Sequence, residues 1–438
     1  MLNQGLQVTE NNVANANTPG YARQALKLES QSFDVTVGLP GGIGSSGTQS
    51  SRDPYAEQNV RTQQSASGLA TQQANDLGAL EPYFNLSAKS SVSNALSQFF
   101  NGFSQLSINP NDTTARQAAI SDAGQLAQSF RQTANGLLAQ STALDSETSG
   151  TVTNINNLAA DIAKLTTQGA AGSSGTQDAG VDARLTSDLE QLSQYGQVTV
   201  LQQPSGSLNV YLNGRTPLVL GDRVSQISLD SSSGPTKILD GGGHDITNDF
   251  SSGQLAGEIK TKNTTIPGYL TQLNTLAQTV ADQVNAALSN GVDQTGASPA
   301  QDLFTYDATK GAAQTLSVTS ITPDQIAAAS AGAPGGNGNA LIVAGLAQAP
   351  TVAGATFTQA YGNLAANVGR DISSAQDGKS TSLDLLTQAQ SLRSRNSGVS
   401  LDQEASNLIQ FQRSYEATSK LINVIDQITQ TLINIIPA

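Results

Sequence analysis

The chain has 438 residues, of which 37% are hydrophobic and 13% charged, with a formal net charge of −13 and no cysteine. That length exceeds a single core of usual size and suits two or three domains. An acidic balance with no basic run excludes nucleic acid and a polybasic membrane contact, and the absence of thiols excludes disulfides, thiolate metal sites and cysteine nucleophiles.

Ala, Ser, Thr, Asn, Gln and Gly fill much of the remainder. Little apolar surface is available to any one segment, so parts of the chain are expected to order only against a neighbour. The first residues, MLNQGLQVTENN, have neither a basic start nor an apolar core, and no cleavable secretory signal is expected there. No run of about 18 apolar residues occurs, so no membrane-spanning helix is expected.

In chain order, Leu2, Leu6 and Val13 recur at helical spacing over 1–15, a helix too short to persist alone in water. It meets Asn15-Ala16-Asn17-Thr18-Pro19-Gly20-Tyr21. Pro19 drives Thr18 towards an extended conformation and Pro-Gly suits the centre of a type II turn, so the helix stops near Asn15. Residues 22–50 read as extended, with Ala25, Leu26, Leu28, Phe33, Val35 and Val37 as the apolar set, and GLPGGIGSSG (38–47) reads as a flexible loop. From about 53 to 107 the period is helical. Val92, Leu96, Phe99, Phe103 and Leu106 step by four, three, four and three, which is a seam for a partner helix. Its plainest meaning is the inside of a helical bundle. Asn109-Pro110-Asn111-Asp112 ends that run. A long helix follows from Thr113, and Val152, Ile155, Leu158, Ile162 and Leu165 continue the stripe after a break. AAGSSG (170–175) is a linker.

A shorter helix at about 181–194 precedes a change of period. Val198, Val200, Leu208, Val210, Leu212, Leu218 and Leu220 alternate with polar residues, and Asn213-Gly214 is a hairpin signal. The β-like region ends near DGGGHD (240–245). Helix returns at about 266–290, residues 300–322 hold strands, and ASAGAPGGNGN (329–339) is a loop. Helix dominates from 355 to the end, giving a mainly α chain with a smaller β part. In the last helix Ser400 and Gln403 fit a capping box, with Asp402 and Glu404 near the positive end of its dipole. Leu408, Phe411, Tyr415, Thr418, Ile422, Ile425, Ile428, Leu432 and Ile435 then recur every three or four residues, over on the order of 50 Å at ~1.5 Å per residue. Nothing later in the chain covers that stripe. The N-terminal helix and further copies of the chain are the nearest candidates.

The tests for chemistry are negative. The single histidine, His244, sits in a glycine-rich turn and cannot form HExxH or any two-histidine metal site. Neither GGGHD nor GAPGGNGNA (332–340) has the GxxxxGK[ST] spacing of a phosphate loop. Scattered carboxylates could pair in space as in a glycosidase, yet aromatic residues are only 4% and tryptophan is absent, which disfavours a sugar-stacking cleft. No enzyme, catalytic residue, metal or cofactor is expected.

The run Asn11-Asn12-Val13-Ala14-Asn15-Ala16-Asn17-Thr18-Pro19-Gly20-Tyr21 closely resembles the N-terminal signature of the bacterial flagellar rod, hook and hook-associated axial proteins. Further stretches are similar to the hook-associated members that join hook to filament. They are Asn109-Pro110 with Arg116-Gln117-Ala118, Asp182-Ala183-Arg184, Gly253-Gln254-Leu255-Ala256-Gly257, Gly336 to Leu341, Ser397 to Glu404, and Gln410 to Tyr415.

The resemblance implies discontinuous nested domains. Residues 1–21 with 400–438 would form a terminal coiled-coil inner domain. Residues 22–194, 253–292 and 355–399 would form a long-helix middle bundle, and 195–252 with 293–354 a small β-containing outer region. It also implies assembly through Leu2, Leu6, Asn12, Asn15, Thr18, Pro19, Gly20 and Tyr21 together with Leu408, Phe411, Tyr415, Ile422, Ile425, Ile428, Leu432 and Ile435. The implied partners are copies of the chain, the hook protein, the next junction protein (hook-associated protein 3) and an export chaperone on the C-terminal helix, after type III secretion to the extracellular flagellum. Two departures are noted: the first helix is about three turns shorter than is usual in the family, and the outer region is small. The alternatives are another axial subunit (hook or distal rod), which should lack the matches at 109–118, 336–341 and 397–415, a secreted hydrolase on a flagellar scaffold, and a surface adhesin.

Overall fold

The computed structural model describes residues 1–438 except 35–38, 172–177, 204–206, 233, 300 and 436–438. Helix α1 is Leu2–Ala14. It is followed by a long antiparallel hairpin of β1 (Gln24–Asp34) and β2 (Leu39–Ser50). The loop expected at 38–47 is therefore strand from Leu39 onward. Its glycines hide the strand from a reading by composition, yet the ladder pairs Ser30 with Ile43 and Glu29 with Gly44. Phe33 lies in β1, while Val35 and Val37 fall outside the described residues.

Helix α2 (Pro54–Gly78) starts on Asp53, whose carboxylate accepts from the backbone N–H of Tyr55 and Ala56, satisfying donors that the first helical turn leaves free. The run expected to be helical from 53 to 107 is interrupted at 79–91 and resumes as α3 (Val92–Ile108), capped by Ser91. All five seam residues of α3 are buried. Phe99 lies edge-on to Phe100 and Phe103, and Phe100 stacks on Phe357. The seam is thus bundle interior.

Helix α4 (Thr113–Ala171) runs unbroken for 59 residues, correcting the expected interruption before Val152. Two successive cores supply its buried faces, so no break is needed where its apolar pattern changes. Its first half, to Leu144, shares the large core with α3, α7 (Ile266–Ser289) and the start of α10 (Phe357–Ser397). Its second half, from Val152 to Ala163, shares a smaller core with α5 (Ala179–Tyr195) and a small β region. That region holds a four-stranded antiparallel sheet in order β3 (Val198–Gln202), β4 (Leu208–Leu212), β5 (Thr216–Leu220), β6 (Arg223–Val224), plus a separate pair, β7 (Ser228–Asp230) and β8 (Lys237–Leu239). The β4–β5 turn carries Asn213 at φ 53° and Gly214 at φ 73°, the left-handed pair that a type I′ hairpin requires.

Helix α6 (Gln254–Lys260) passes through a π turn at Thr261–Thr265 into α7. The segment up to α9 holds β9 (Gly291–Val292), β10 (Phe304–Thr305), α8 (Ala312–Thr315), β11 (Ser317–Val318) and β12 (Ala329–Ser330), before α9 itself (Gly338–Gly345). Arg116 fixes this segment: fully buried, it donates to the carbonyls of Pro110, Pro323 and Ile326. Asn337 donates to Ser107 O and Asn339 to Ala327 O. Leu303, Phe304, Leu316, Ile326, Ala340 and Val343 consequently belong to the large core, whereas the four-stranded sheet belongs to the smaller one. The segments 195–252 and 293–354, expected to form one outer region, therefore pack on different parts of the bundle.

Helix α10 (Phe357–Ser397) lies along α2, and α11 (Leu401–Ile435) follows after a short bend. No helix among the described residues is long and apolar enough to cross a membrane.

Candidate assembly interface

The two ends of the chain meet. Helix α1 packs antiparallel against the first part of α11. They approach closely at Gly5, where a Cβ would stand 2.8 Å from the Phe411 ring. A side chain at this position would wedge the helices apart. Leu2, Leu6, Leu408 and Phe411 are half-buried in this contact.

Beyond α1 the turn is rigidly built. Asn15 is the C-cap of α1 and its Oδ1 accepts from the Thr18 hydroxyl at 3.1 Å. The Tyr21 N–H closes onto Thr18 O at 3.1 Å, and Gly20 has φ 73°, as a Pro-Gly type II turn demands. Asn12 is the hub. Its Nδ2 donates to Gln24 O, and its Oδ1 accepts from the Gln24 N–H and the Tyr21 hydroxyl, each at 2.9 Å. Asn12 is buried, so any side chain without this donor–acceptor pair would leave buried polar groups unpaired. Burial, then the charge of Glu404, raises the pKa of Tyr21 and keeps its hydroxyl a donor. Thr18 and Pro19 remain exposed at the tip.

The start of α11 differs from expectation in one respect. Ser400 Oγ accepts from the Gln403 N–H, but the Gln403 side chain turns to Asn407, so only half of a capping box forms. Glu404 is buried rather than lying free near the helix dipole, and its Oε1 accepts from Arg23 Nε at 2.6 Å. Removing Arg23 would leave the buried Glu404 carboxylate without its partner, which costs more than losing an exposed pair.

From about residue 420 the apolar face of α11 is not covered by any of the described residues. Tyr415 is exposed, and so are Leu421, Ile422, Val424, Ile425, Ile428, Leu432 and Ile433, with Ile425 at 51% and Ile433 at 64%. The side chain of Ile435 lies outside the described residues. The reason is length: α1 spans roughly 20 Å and α11 roughly 52 Å at ~1.5 Å per residue. The residues expected to take part in assembly thus divide into a built contact (Leu2, Leu6, Asn12, Asn15, Gly20, Tyr21, Leu408, Phe411) and an open surface (Thr18, Pro19, Tyr415, Ile422, Ile425, Ile428, Leu432).

A network beneath the turn, at Arg52, Glu57, Asp182, Glu190 and Arg393, was not legible as such in the sequence. Arg52 Nη1 meets Glu57 at 2.7 Å, its Nη2 meets Asp182 at 2.8 Å and Gly20 O at 2.7 Å, and Arg393 meets Glu190 at 2.7 Å. The only available signal was Asp182 in the Asp182-Ala183-Arg184 match, since its arginine partner lies 130 residues away.

Elsewhere, His244 is an exposed turn residue whose ring meets Asp240 at 3.2 Å. An open groove of about 660 Å³ lies beside it, lined by Pro217, Val224, Ile227 and Asp240 among others. The Asp240 carboxylate already accepts from the N–H groups of Gly242 and His244. No group of three or more His, Asp or Glu side chains suited to a metal ion occurs among the described residues.

Comparison with known proteins agrees with this arrangement. The family model described as "Flagellar hook-associated protein FlgK helical domain" matches residues 77–304. A second, "Flagellar basal body rod FlgEFG protein C-terminal", matches residues 391–435. The chain is similar to flagellar hook-associated protein 1 of Bacillus subtilis, at 26% identity over 98% of this chain and 94% of the relative. It is also similar to that of Escherichia coli, at 25% over 98% and 96%, and to that of Salmonella typhimurium, at 28% over 73% and 61%. The fold resembles the flagellar hook junction protein FlgK from Burkholderia pseudomallei, with TM-score 0.71 and 16% identity over 77% of this chain and 99% of that one. The rod-type match covers only the closing helices, whereas the helical-domain match takes in α3 through α7 and covers more than half the chain. The chain belongs to the FlgK family of flagellar hook-associated proteins, structural subunits of the flagellum rather than enzymes.

Proposed function

We propose that the subunit joins hook to filament by burying the free face of α11 against neighbouring copies, with the α1–α11 pair as the inner part of the assembled tube. Residues 1–21 and 400–438 form the inner domain in this reading, and the remainder is the body that faces outward. The observation that carries it is the apolar face from Leu421 to Ile433, which is exposed and adjoins a built helix pair. Burying such side chains gains on the order of 1–2 kcal/mol each. A contact that uses different patches on the two partners propagates around a helical axis rather than closing on itself as a dimer.

The partners on either side are the hook protein and the next junction protein, hook-associated protein 3. Before assembly an export chaperone covers the same face of α11, and the chain reaches the extracellular flagellum by type III secretion. Immunolabelling of intact flagella tests this: a thin band between hook and filament is expected. Label along the filament, or confined to the basal body, would overturn the junction role.

A further inference from the structure

Three stretches of chain cross the neck between the terminal helix pair and the bundle: residues 20–24, 51–53 and 397–400. They are stitched together by Arg23 N to Ser397 O at 2.9 Å, Ser51 N to Arg23 O at 2.8 Å, and Asp53 N to Ser397 Oγ at 3.2 Å. One guanidinium lies among them. Arg52 reaches the signature turn at Gly20 O, helix α2 at Glu57 Oε1 and helix α5 at Asp182 Oδ2. Its side chain is only 16% exposed. The turn it holds sits backbone to backbone on α5: Gly20 has φ 73°, and a Cβ there would stand 2.2 Å from Ala183 O. No side chain of Gly20 interlocks with α5 at this point, so the Arg52 bond to Gly20 O is a fastener across the contact.

We propose that Arg52 is a positioning residue that sets the angle of the terminal helix pair on the middle bundle. Its planar fork donates in several fixed directions at once, which a lysine ammonium on a flexible stem does not reproduce. Glu57 and Asp182 are in turn held from below, because Arg393 of α10 reaches Glu57 at 3.4 Å and Glu190 of α5 at 2.7 Å. The three helices under the neck thus present a fixed seat, and Arg52 ties the turn to it. In an array of copies a fixed angle brings each exposed α11 face to its neighbour in register. That consequence rests on the assembly role proposed above, whereas the positioning role does not.

The native chain lacks cysteine, so a spin-label pair can be introduced without background. Exposed Glu10 on α1 and exposed Thr62 on α2, each changed to cysteine, report the angle in dilute monomer. One narrow distance distribution is expected with Arg52 present. Arg52→Lys should lose that single narrow distance while helical content and the melting midpoint stay near those of the parent. Asp182→Asn, which removes an acceptor and leaves Arg52 in place, should do the same. A narrow, unshifted distribution in both variants would overturn the proposal, because the neck's backbone bonds and the Arg23–Glu404 pair would then suffice. Broadening that appears only together with loss of helical signal would overturn it too, making Arg52 an ordinary stabilising residue. Broadening together with normal junctions in cells would support the positioning role and overturn the consequence drawn for register, while failure of the assembly role itself would show in Ile425→Asp, so the two failures are distinguishable.

Discussion

Ile425→Asp should abolish assembly and motility while leaving the monomer folded. In the isolated chain the Ile425 side chain is exposed and contributes to neither of the two main hydrophobic cores. Loss of monomer stability should therefore stay within about 0.5 kcal/mol, the usual range for a surface substitution. In the assembly the same position would be buried against a neighbour, where an unpaired carboxylate costs several kcal/mol per contact. The penalty repeats at every subunit, so a modest cost becomes loss of the structure. Ile422→Asp should behave alike, and Leu408→Asp should differ by also weakening the α1–α11 pair within one chain. The check is complementation of a deletion strain, with circular dichroism of the purified variant. Motility equal to that of wild type would remove the apolar face from the assembly role.

The second large effect concerns pH. Asp76 and Glu258 are buried in the bundle between α2, α4 and α6, at 3% and 0% exposure. Burial first, and then the nearby charge of Glu147, raises Asp76 from 3.8 to about 7. Burial likewise raises Glu258 from 4.5 to about 7, against the lowering effect of hydrogen bonds from Thr151 and Gln254. Each group thus binds its proton more tightly folded than unfolded. Its contribution is fully present below about pH 4 and is lost as pH rises towards 7, so stability should fall across that window. Asp76→Asn with Glu258→Gln should flatten the dependence. It should raise stability at pH 8 by on the order of 2–4 kcal/mol per site and leave stability at pH 4 nearly unchanged. Thermal melts of both proteins from pH 4 to pH 8 measure this. A parent melting midpoint that rises steadily over that range would contradict the assignment.

Much of this arrangement was readable from residue order because the signals are local. Thr18-Pro19-Gly20-Tyr21 specifies its own turn through one fixed φ and one left-handed residue. Asn213-Gly214 does the same for its hairpin, and the α3 seam is a helical period that needs no partner to be recognised. What was misread depends on distant chain. The β2 strand from Leu39 looks like loop because its glycines have no side chains to show alternation, and β1 supplies the pattern. The continuity of α4 is set by two cores built from segments far later in the chain, out to Ile372. Residues 293–354 join the large core because Arg116 and Asn337 bind backbone carbonyls between that segment and the bundle, and carbonyls leave no mark in sequence. The residues expected to assemble divide similarly. Asn12 could be named from a motif, but its pairing with Gln24 and Tyr21 could not. Glu404 reads as a helix-dipole residue in the sequence because its partner Arg23 lies 381 residues away.

In the proposed assembly, α11 beyond residue 420 is a surface kept for other copies of the chain. Hydrogen exchange compares it directly in dilute monomer and in assembled junctions. In the monomer, amides of 421–435 should exchange far faster than those of α3 and α7, because the helix there is exposed on all sides among the described residues. Residues 405–420 and α1 should be intermediate, since they cover each other. On assembly, 421–435 should become as protected as the bundle. Strong protection of 421–435 in the dilute monomer, or no gain in protection on assembly, would contradict the account.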